Sequence, residues 1–455
     1  MSDLLAIGAS GVRAYQTALA TVGENIANVG STGYTRRTVR LDEVPGGSGT
    51  VNQYGAGNGV NLTGIARASD TYSSAALRAS TSDLSRTTQG ADWLDRIDGA
   101  LKGNALTTRV TSFFTAAQGL AGEPNSTALR TSMLSAAGSA AVAFTATGKA
   151  FDQIDADLAS AGGQAAVGLT SLGVSLAQVN EGLGRAFPGS TAAAQLMDQR
   201  DTILGQMSQT VDVGATFDQL GRTTVTLAGS SGPPFVKGTS SGTASYVRDG
   251  NGAASFSYVV DGLATQIAPG GGQLAGIVDG AQRVAANREA LNGVATEFVQ
   301  AVNDNQAAGR DQKGAVGATL FQATPGSPTR ISIAAGFDGS MIAAAQAPTP
   351  DLPAGGGPRD ATNLATLEKT RNSKGFEATL ATLVTDNATT LKQKNTIADA
   401  QTAIRDGAAT ALSTATGVNL DSEAVDLMRF QQAYSASSRV IQVARETMQS
   451  ILDIR

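Results

Sequence analysis

Three stretches of this chain carry the residue types and spacings that binding or catalysis would need. Asp249-Gly250-Asn251-Gly252 alternates oxygen donors with glycine, as the start of a calcium loop does. The later acidic ligands of such a loop are missing, so the stretch reads as a hairpin turn between the alternating segments 243–248 and 255–260. Pro269-Gly270-Gly271-Gly272-Gln273 has glycines enough to cradle a phosphate, but lacks the Gly-Lys-Ser/Thr ending of a phosphate loop. Asp152, Asp155 and Asp157 share a helix face at near-helical spacing and read as a solvated acidic face.

The remaining inventory narrows the chemistry further. The chain has no cysteine and no histidine. Thiol chemistry, disulfides, Cys/His metal sites and the commonest general base are therefore removed. Carboxylate, lysine, tyrosine or Ser/Lys chemistry stays open, but no convergent polar cluster is visible. The expectation is a protein that is not an enzyme, with no cofactor and no metal. The net charge is −5 and no basic tract stands out, which disfavours a nucleic-acid surface. Aromatics make up only 5% of the chain against 54 glycines, a composition better suited to long helices and small-residue contacts than to a compact enzyme core. No apolar run reaches the roughly 18 residues that a membrane span needs. Residues 1–16 lack a basic region and a continuous apolar stretch, so no cleaved signal is expected. Cysteine avoidance suits a protein that is exported unfolded.

The elements that position these stretches are legible from periodicity. Apolar or small residues recur in steps of three and four at Leu427, Phe430, Tyr434, Ser437, Ile441, Ala444, Met448 and Ile451. The same pattern runs through Leu5, Gly8, Val12, Tyr15, Leu19, Val22, Ile26 and Val29. Both are a/d seams of helices. Asp421 is expected to cap the second helix, with Glu423 in its positive first turn and Leu420 stapled onto Val425. Arg429, Arg439 and Arg445 are placed to pair with Asp426, Glu446 and Asp453. Gly8, Ser437 and Ala444 permit close helix approach.

Between the ends, 34–41 alternates like a strand, and 45–64, with Val51 and Tyr54, fits a loop or hairpin. Helices are expected over 65–118, 126–161, 165–187, 195–211, 282–305 and 364–415. A β-rich insert covers 212–272, and the turn-rich stretch 309–361, punctuated by Pro348, Pro350, Pro353 and Pro358, returns to it. At 455 residues the chain requires two to four domains. The fold class is a mainly α multidomain chain with a β-rich insert. Its terminal helices pair as a coiled-coil stalk, its central helices form an antiparallel bundle, and its β domain lies outermost. The domains are 1–32 plus 418–455, 33–211 plus 273–316 plus 362–417, and 212–272 plus 317–361.

Several short motifs then carry a resemblance. Asn25-Ile26-Ala27-Asn28 followed by Thr32-Gly33-Tyr34-Thr35-Arg36 ends a helix with Asn28 and Gly30 and packs Tyr34 on the turn. It resembles the signature of the bacterial flagellar axial proteins (rod, hook and hook-associated), where it joins the terminal coiled coil to the next domain. Phe430-Gln431-Gln432-Ala433-Tyr434, with the Ser-Ala-Ser-Ser-Arg-Val-Ile that follows, resembles the C-terminal signature of hook-associated members. Leu196-Met197-Asp198-Gln199-Arg200-Asp201, the turn Gly271-Gly272-Gln273-Leu274-Ala275-Gly276, and Asn303, Gly309, Gly314, Gly317 with Leu320-Phe321 extend the match. It is nearly full length and weakest over 212–270 and 322–362. Asp421-Ser422-Glu423 departs from the frequent Asp-Glu-Glu, and Thr32 from a frequent proline.

The resemblance implies a structural part of the bacterial flagellum at the junction of hook and filament, adapting one tubular lattice to the other. It implies a tubular homo-oligomer contacting hook protein and a second junction protein, FlgL. It also implies export by the flagellar type III route with an export chaperone, FlgN, and an extracellular location. Assembly contacts would fall on Leu5, Val12, Tyr15, Leu19, Val22, Ile26, Leu427, Phe430, Tyr434, Ile441, Met448 and Ile451. The chaperone would take Leu427, Phe430, Tyr434 and Ile441. Asn25, Asn28, Gly33 and Tyr34 would form the domain joint. Another axial component (hook or distal rod) and an exported enzyme with coiled-coil ends are the alternatives. The long Ala-rich middle helices argue against the first, and the missing polar cluster against the second.

Overall fold

A computed structural model describes residues 2–44, 59–227, 230–250, 252–348, 351 and 356–453. Val51, Tyr54, Asn251, Pro350 and Pro353 lie outside them. Helix α1 (Ser2–Ala27) leads into an antiparallel hairpin, β1 (Arg37–Glu43) and β2 (Val60–Arg67). Four helices follow: α2 (Thr71–Gly103), α3 (Leu106–Gly122), α4 (Thr127–Arg185) and α5 (Thr191–Thr210). The β-rich region holds β3 (Val213–Phe217), β4 (Thr223–Leu227), β5 (Val236–Lys237), β6 (Ser240–Ser241), β7 (Thr243–Arg248), β8 (Ala254–Val260) and β9 (Leu263–Ile267). Helix α6 (Gly272–Ala308) precedes β10 (Gly309–Arg310), β11 (Phe321–Thr324), β12 (Ser327–Ile333) and β13 (Ala345–Gln346). Three helices finish the chain: α7 (Thr362–Lys374), α8 (Phe376–Thr416) and α9 (Leu420–Leu452).

The packing is nested. Helix α1 lies against α9, and α2 lies against both α8 and α6, with α3, α4 and α5 filling the body. Strands join as β3-β4-β5-β6 and β7-β8-β9, with separate pairs β1-β2, β10-β13 and β11-β12, all antiparallel among the described residues. The helix starts are capped by the residues that favour that position. Asp70, Ser126 and Ser190 accept the amides of Ser73, Leu129 and Ala193.

Glycine is where the sequence reading needs correction. Helix α4 runs unbroken for 59 residues, so the expected interruption between 161 and 165 is absent. The glycines in it are sockets, not breaks. A Cβ on Gly148 would collide with Thr329, and one on Gly162 with the ring of Tyr246. At Gly173 a Cβ would lie 2.7 Å from Phe235 Cε1. Each costs helix stability relative to alanine, and each admits a side chain from the β region onto the helix surface. Helix α6 likewise begins ten residues earlier than expected, because Gly276 and Gly280 seat against Gln89 and Trp93 of α2. Conversely, the continuous helix expected over 364–415 is cut at Gly375, whose φ of +62° is left-handed.

The acidic face of α4 is not merely solvated. Asp152 pairs with Arg288 of α6 and Arg330 of β12, and Asp155 with Arg248 of β7 at 2.7 Å. Asp157 meets Arg96 of α2 at 2.5 Å. The few aromatics are concentrated instead of spread thin. Phe113, Phe114, Phe144, Phe298, Phe321 and Phe376 form one buried knot drawn from α3, α4, α6, β11 and α8. A second group, Phe235, Tyr246, Phe256 and Tyr258, sits in the β region, and the buried apolar cluster is continuous between the two.

The socket account separates two glycines of one helix. Gly138 has open space around its Cβ position, whereas Gly162 does not. In urea unfolding, Gly138→Ala is expected to raise stability by about 0.5–1 kcal/mol. Gly162→Ala is expected to lower it by about 1–3 kcal/mol through overpacking.

Candidate functional site at the terminal joint

The two terminal helices run antiparallel. Tyr15 and Phe430 face each other with ring centroids 6.3 Å apart, and Asn25 at the end of α1 meets Glu423 at the start of α9. Small residues bring the backbones close. A Cβ on Gly8 would lie 2.6 Å from Ile441 Cγ1, and one on Gly11 2.6 Å from Ser437 Oγ.

On α1 the fully buried positions are Gly8, Gly11, Ala14, Ala18, Thr21, Val22 and Asn25. Of the expected contact residues, Val22 is therefore central, while Leu5, Val12, Tyr15, Leu19 and Ile26 are half-buried beside this stripe. On α9, Leu427, Phe430, Ser437 and Ile441 are half-buried and Ala444 is buried. Tyr434, Met448 and Ile451 depart from the expected seam. Tyr434 is exposed while its neighbour Ala433 is half-buried, and Met448 and Ile451 are open to solvent. Helix α9 is 33 residues against 26 for α1, so its end outruns the partner. Leu420 and Val425 are also exposed, and no staple forms. The cap of α9 is Asn419, accepting the amides of Asp421 and Ser422, not Asp421 itself. Of the three arginines on α9, Arg429 pairs with Asp426 at 3.1 Å.

The joint is a polar cluster built on Asn25, which is 1% exposed. Its amide donates to Glu423 at 2.9 Å and to the carbonyl of Arg37 at 2.8 Å. Its oxygen accepts the Tyr34 hydroxyl at 2.8 Å and the Arg37 amide at 3.0 Å. All of the polar capacity that a buried asparagine must satisfy is thereby used. Asn28 donates its side-chain amide to the Glu24 carbonyl at 2.9 Å, closing the end of α1. Gly33 takes a φ of +82°, where a Cβ would strike Thr202 of α5. Asn25 and Tyr34 thus sit inside the cluster, whereas Asn28 and Gly33 shape the turn that feeds it.

Two adjacent arginines leave this turn in opposite directions, as successive residues of an extended segment do. Arg36 turns to α9, meeting the fully buried Glu423 at 2.6 Å and Asp426 at 3.2 Å. Arg37 turns to the body, where it meets Asp198 of α5 at 3.1 Å and stacks over the Tyr34 ring. Asp198 also accepts from Thr35 at 2.7 Å and from Arg67 of β2 at 2.6 Å. Arg67 reaches Asp201 at 2.6 Å, and Arg200 binds the same carboxylate and the carbonyl of Gly221. Three motifs far apart in sequence, 32–36, 196–201 and 421–423, therefore meet in one network.

The sequence reading assigned Asn25 and Tyr34 to the joint; it named Arg36 and Glu423 only as part of a motif and of a helix start, and it missed Arg37 and Arg67. The available signal was the pairing of Thr35-Arg36-Arg37 with Asp198 and Asp201, which are spaced three apart on one helix face.

Fold and joint together define a chain closed on itself, whose two ends form one helical handle set on a nested body. Residues 94–321, half of the chain, match the flagellar hook-associated protein FlgK helical domain, and residues 412–454 match the flagellar basal body rod FlgEFG protein C-terminal region. The chain belongs to the FlgK family of flagellar hook-associated proteins. It is 26% identical to flagellar hook-associated protein 1 of Escherichia coli (strain K12), over 70% of this chain and 60% of that protein. It is 27% identical to the protein of the same name from Salmonella typhimurium, over 52% of this chain and 43% of that protein. The chain thus spans about half the length of these curated relatives. The solved structure of the flagellar hook junction protein FlgK from Burkholderia pseudomallei shares the fold, with a TM-score of 0.63 over 74% of this chain and 98% of that one, at 16% identity. Among the described residues no helix is long and apolar enough to cross a membrane.

Replacing Glu423 with alanine leaves Asn25 and Arg36 without their buried acceptor. The expected cost is about 2–3 kcal/mol, below that of a fully buried pair because Arg36 is partly solvated. Amide exchange in the first turns of α9 should quicken by roughly 30-fold while α4 stays protected. A second test uses pH. Burial raises the Tyr34 phenol above its ordinary value, with Arg37 pulling the other way. The neutral phenol is the folded form, so its contribution is complete below about pH 10 and is lost as pH climbs through the raised value. Tyr34→Phe should remove a late-titrating step from the ultraviolet tyrosinate curve.

Proposed function

We propose that this chain is a structural component of the bacterial flagellum, assembling into the junction between hook and filament and adapting one tubular lattice to the other. The observation that carries this reading is the under-covered helical handle. Helix α9 is buried on one side by α1, yet Leu420, Val425, Met428, Val443, Met448, Ile451 and Leu452 stay exposed. Exposed apolar surface of this kind marks a contact site. Copies placed head-to-tail would cover it and generate a closed ring or tube.

In this reading the chain acts by contact and not by catalysis. Leu5, Val12, Tyr15, Leu19, Val22, Ile26, Leu427, Phe430, Tyr434, Ile441, Met448 and Ile451 hold the handle together or face neighbouring copies. Asn25, Asn28, Gly33 and Tyr34 set its joint to the body. Hook protein and FlgL are the axial neighbours. FlgN holds α9 through Leu427, Phe430, Tyr434 and Ile441 before export. The handle, the helical body and the β-rich region are three functional units with the boundaries given above.

A second reading, another axial component, draws on the match of 412–454 to rod proteins. A deletion strain separates the two. Under the junction reading, hooks form normally and filament subunits escape into the medium. Filaments of normal length would sink it, and loss of hooks would favour the rod or hook reading. Removing 421–455 is expected to abolish complementation while the body of the purified chain stays folded by circular dichroism.

A further inference from the structure

Arginine is oversupplied on the α5 side of the joint. Four guanidiniums, those of Arg37, Arg67, Arg78 and Arg200, gather there with three carboxylates, those of Glu24, Asp198 and Asp201. The pairing leaves one arginine out. Arg67 takes one oxygen of Asp201 at 2.6 Å, and Arg200 takes the other at 2.8 Å. Asp198 is filled by Thr35, Arg37 and Arg67. Arg78, on α2, is half-buried within electrostatic reach of Asp201 and Arg200, yet it forms no hydrogen bond or ion pair among the described residues. Burial accordingly pulls its guanidinium below the ordinary arginine value, and Arg200 adds to that against the opposing pull of Asp201.

Arg78 is half-buried, and the chain itself offers its guanidinium no acceptor among the described residues, so only solvent partners it in the free chain. All the donors of its planar fork stay available for a carboxylate, which is the geometry arginine matches best. We infer that Arg78 is a receptor for a carboxylate presented by a second copy of this chain, completed only on assembly. The inference rests on the assembly reading above. Two observations favour a second copy as the source. The chain is acidic, with 38 carboxylate residues against 33 lysines and arginines. Asp42 and Glu43 on β1, the strand that leaves this joint, are exposed and form no ion pair among the described residues.

The test compares Arg78→Gln and Arg78→Lys with the wild-type full chain. In the purified monomer, Arg78→Gln is expected to leave the thermal midpoint unchanged or raised, because an unmatched charge has been removed. In a deletion strain, the same variant is expected to cut the fraction of filament-bearing cells about tenfold or more, as loss of one member of a desolvated charge pair does. Arg78→Lys should restore part of it. A lowered midpoint for Arg78→Gln would make the residue an internal structural one and overturn the inference. Full complementation by Arg78→Gln, beside none by a chain lacking 421–455, would overturn it while leaving the assembly reading intact. Inorganic phosphate supplies the remaining arm. If phosphate stabilises the wild-type monomer but not Arg78→Gln, and the variant still complements, the receptor takes a free anion and the second copy is excluded.

Discussion

Glu423 is a carboxylate with no access to water, placed where a helix begins. Taking such a group out of solvent costs several kcal/mol unless its oxygens find donors with good geometry. Here the donors are Arg36 and Asn25, one from the linker and one from the opposite terminal helix. That single requirement ties residue 25 to residue 423 across nearly the whole chain. It sets the register of α1 on α9, because sliding either helix by one turn strands both the acid and the amide. It also sets the direction of Arg37, since its neighbour Arg36 must face α9. From Arg37 the constraint passes through Asp198 to Arg67 and so to the hairpin and the body. At this point the alignment of handle and body runs through these ion pairs and hydrogen bonds.

The body is held by the opposite logic. Along α4 the contacts are steric, with Thr329, Tyr246 and Phe235 each entering a gap where a glycine stands. Arg248 and Arg330 then fasten the same strands to Asp155 and Asp152, next to the sockets. The exposed Arg330–Asp152 pair contributes only tenths of a kcal/mol and orients a strand that packing already holds, whereas Arg248–Asp155 is largely shielded from solvent. The phenylalanine knot adds a buried apolar anchor shared by α3, α4, α6, β11 and α8. A body fastened by interlocking shapes resists deformation, and a joint of buried ion pairs holds one alignment because breaking any of them strands a charge.

Legibility in the sequence followed the range of the forces involved. The two terminal helices were readable because helical periodicity is local, but which positions of each face the partner was only partly so, since small residues at Gly11, Ala14 and Ala18 form the buried stripe of α1. Caps were partly readable, but Asn419 displaced Asp421 because the first turn has two candidate side chains and only tertiary context, the burial of Glu423, fixes which residue is helical. Glycine was the weakest sign. Gly162 and Gly375 look alike in a sequence, yet one fills a socket and the other turns the chain, and the difference lies in a tyrosine 84 positions away and in a backbone angle. The acids of α4 looked solvated because their partners, Arg96, Arg248, Arg288 and Arg330, belong to four other elements. The joint was half visible. The string 25–36 announced it, but its charge network needed long-range contacts that no spacing rule supplies.

The terminal seam carries a further consequence of using small residues. Glycine and alanine at Gly8, Gly11, Ala14 and Ala18 let the two backbones approach closely, but they bury little apolar area per turn. Since stabilisation scales with that area, a pair built this way gains less from itself than a leucine-lined pair of equal length. Its larger side chains are displaced to the flanks, where Leu5, Val12, Tyr15 and Leu19 remain half-covered and Met448 and Ile451 uncovered. The handle therefore leaves its larger apolar side chains outside the pair, on flanks that the chain itself does not fully cover. A leucine-rich seam would make the free subunit more stable. The small-residue seam keeps the ends weakly self-satisfied, with Glu423 fixing their register, and under the assembly reading proposed above neighbouring copies would supply the remaining apolar burial.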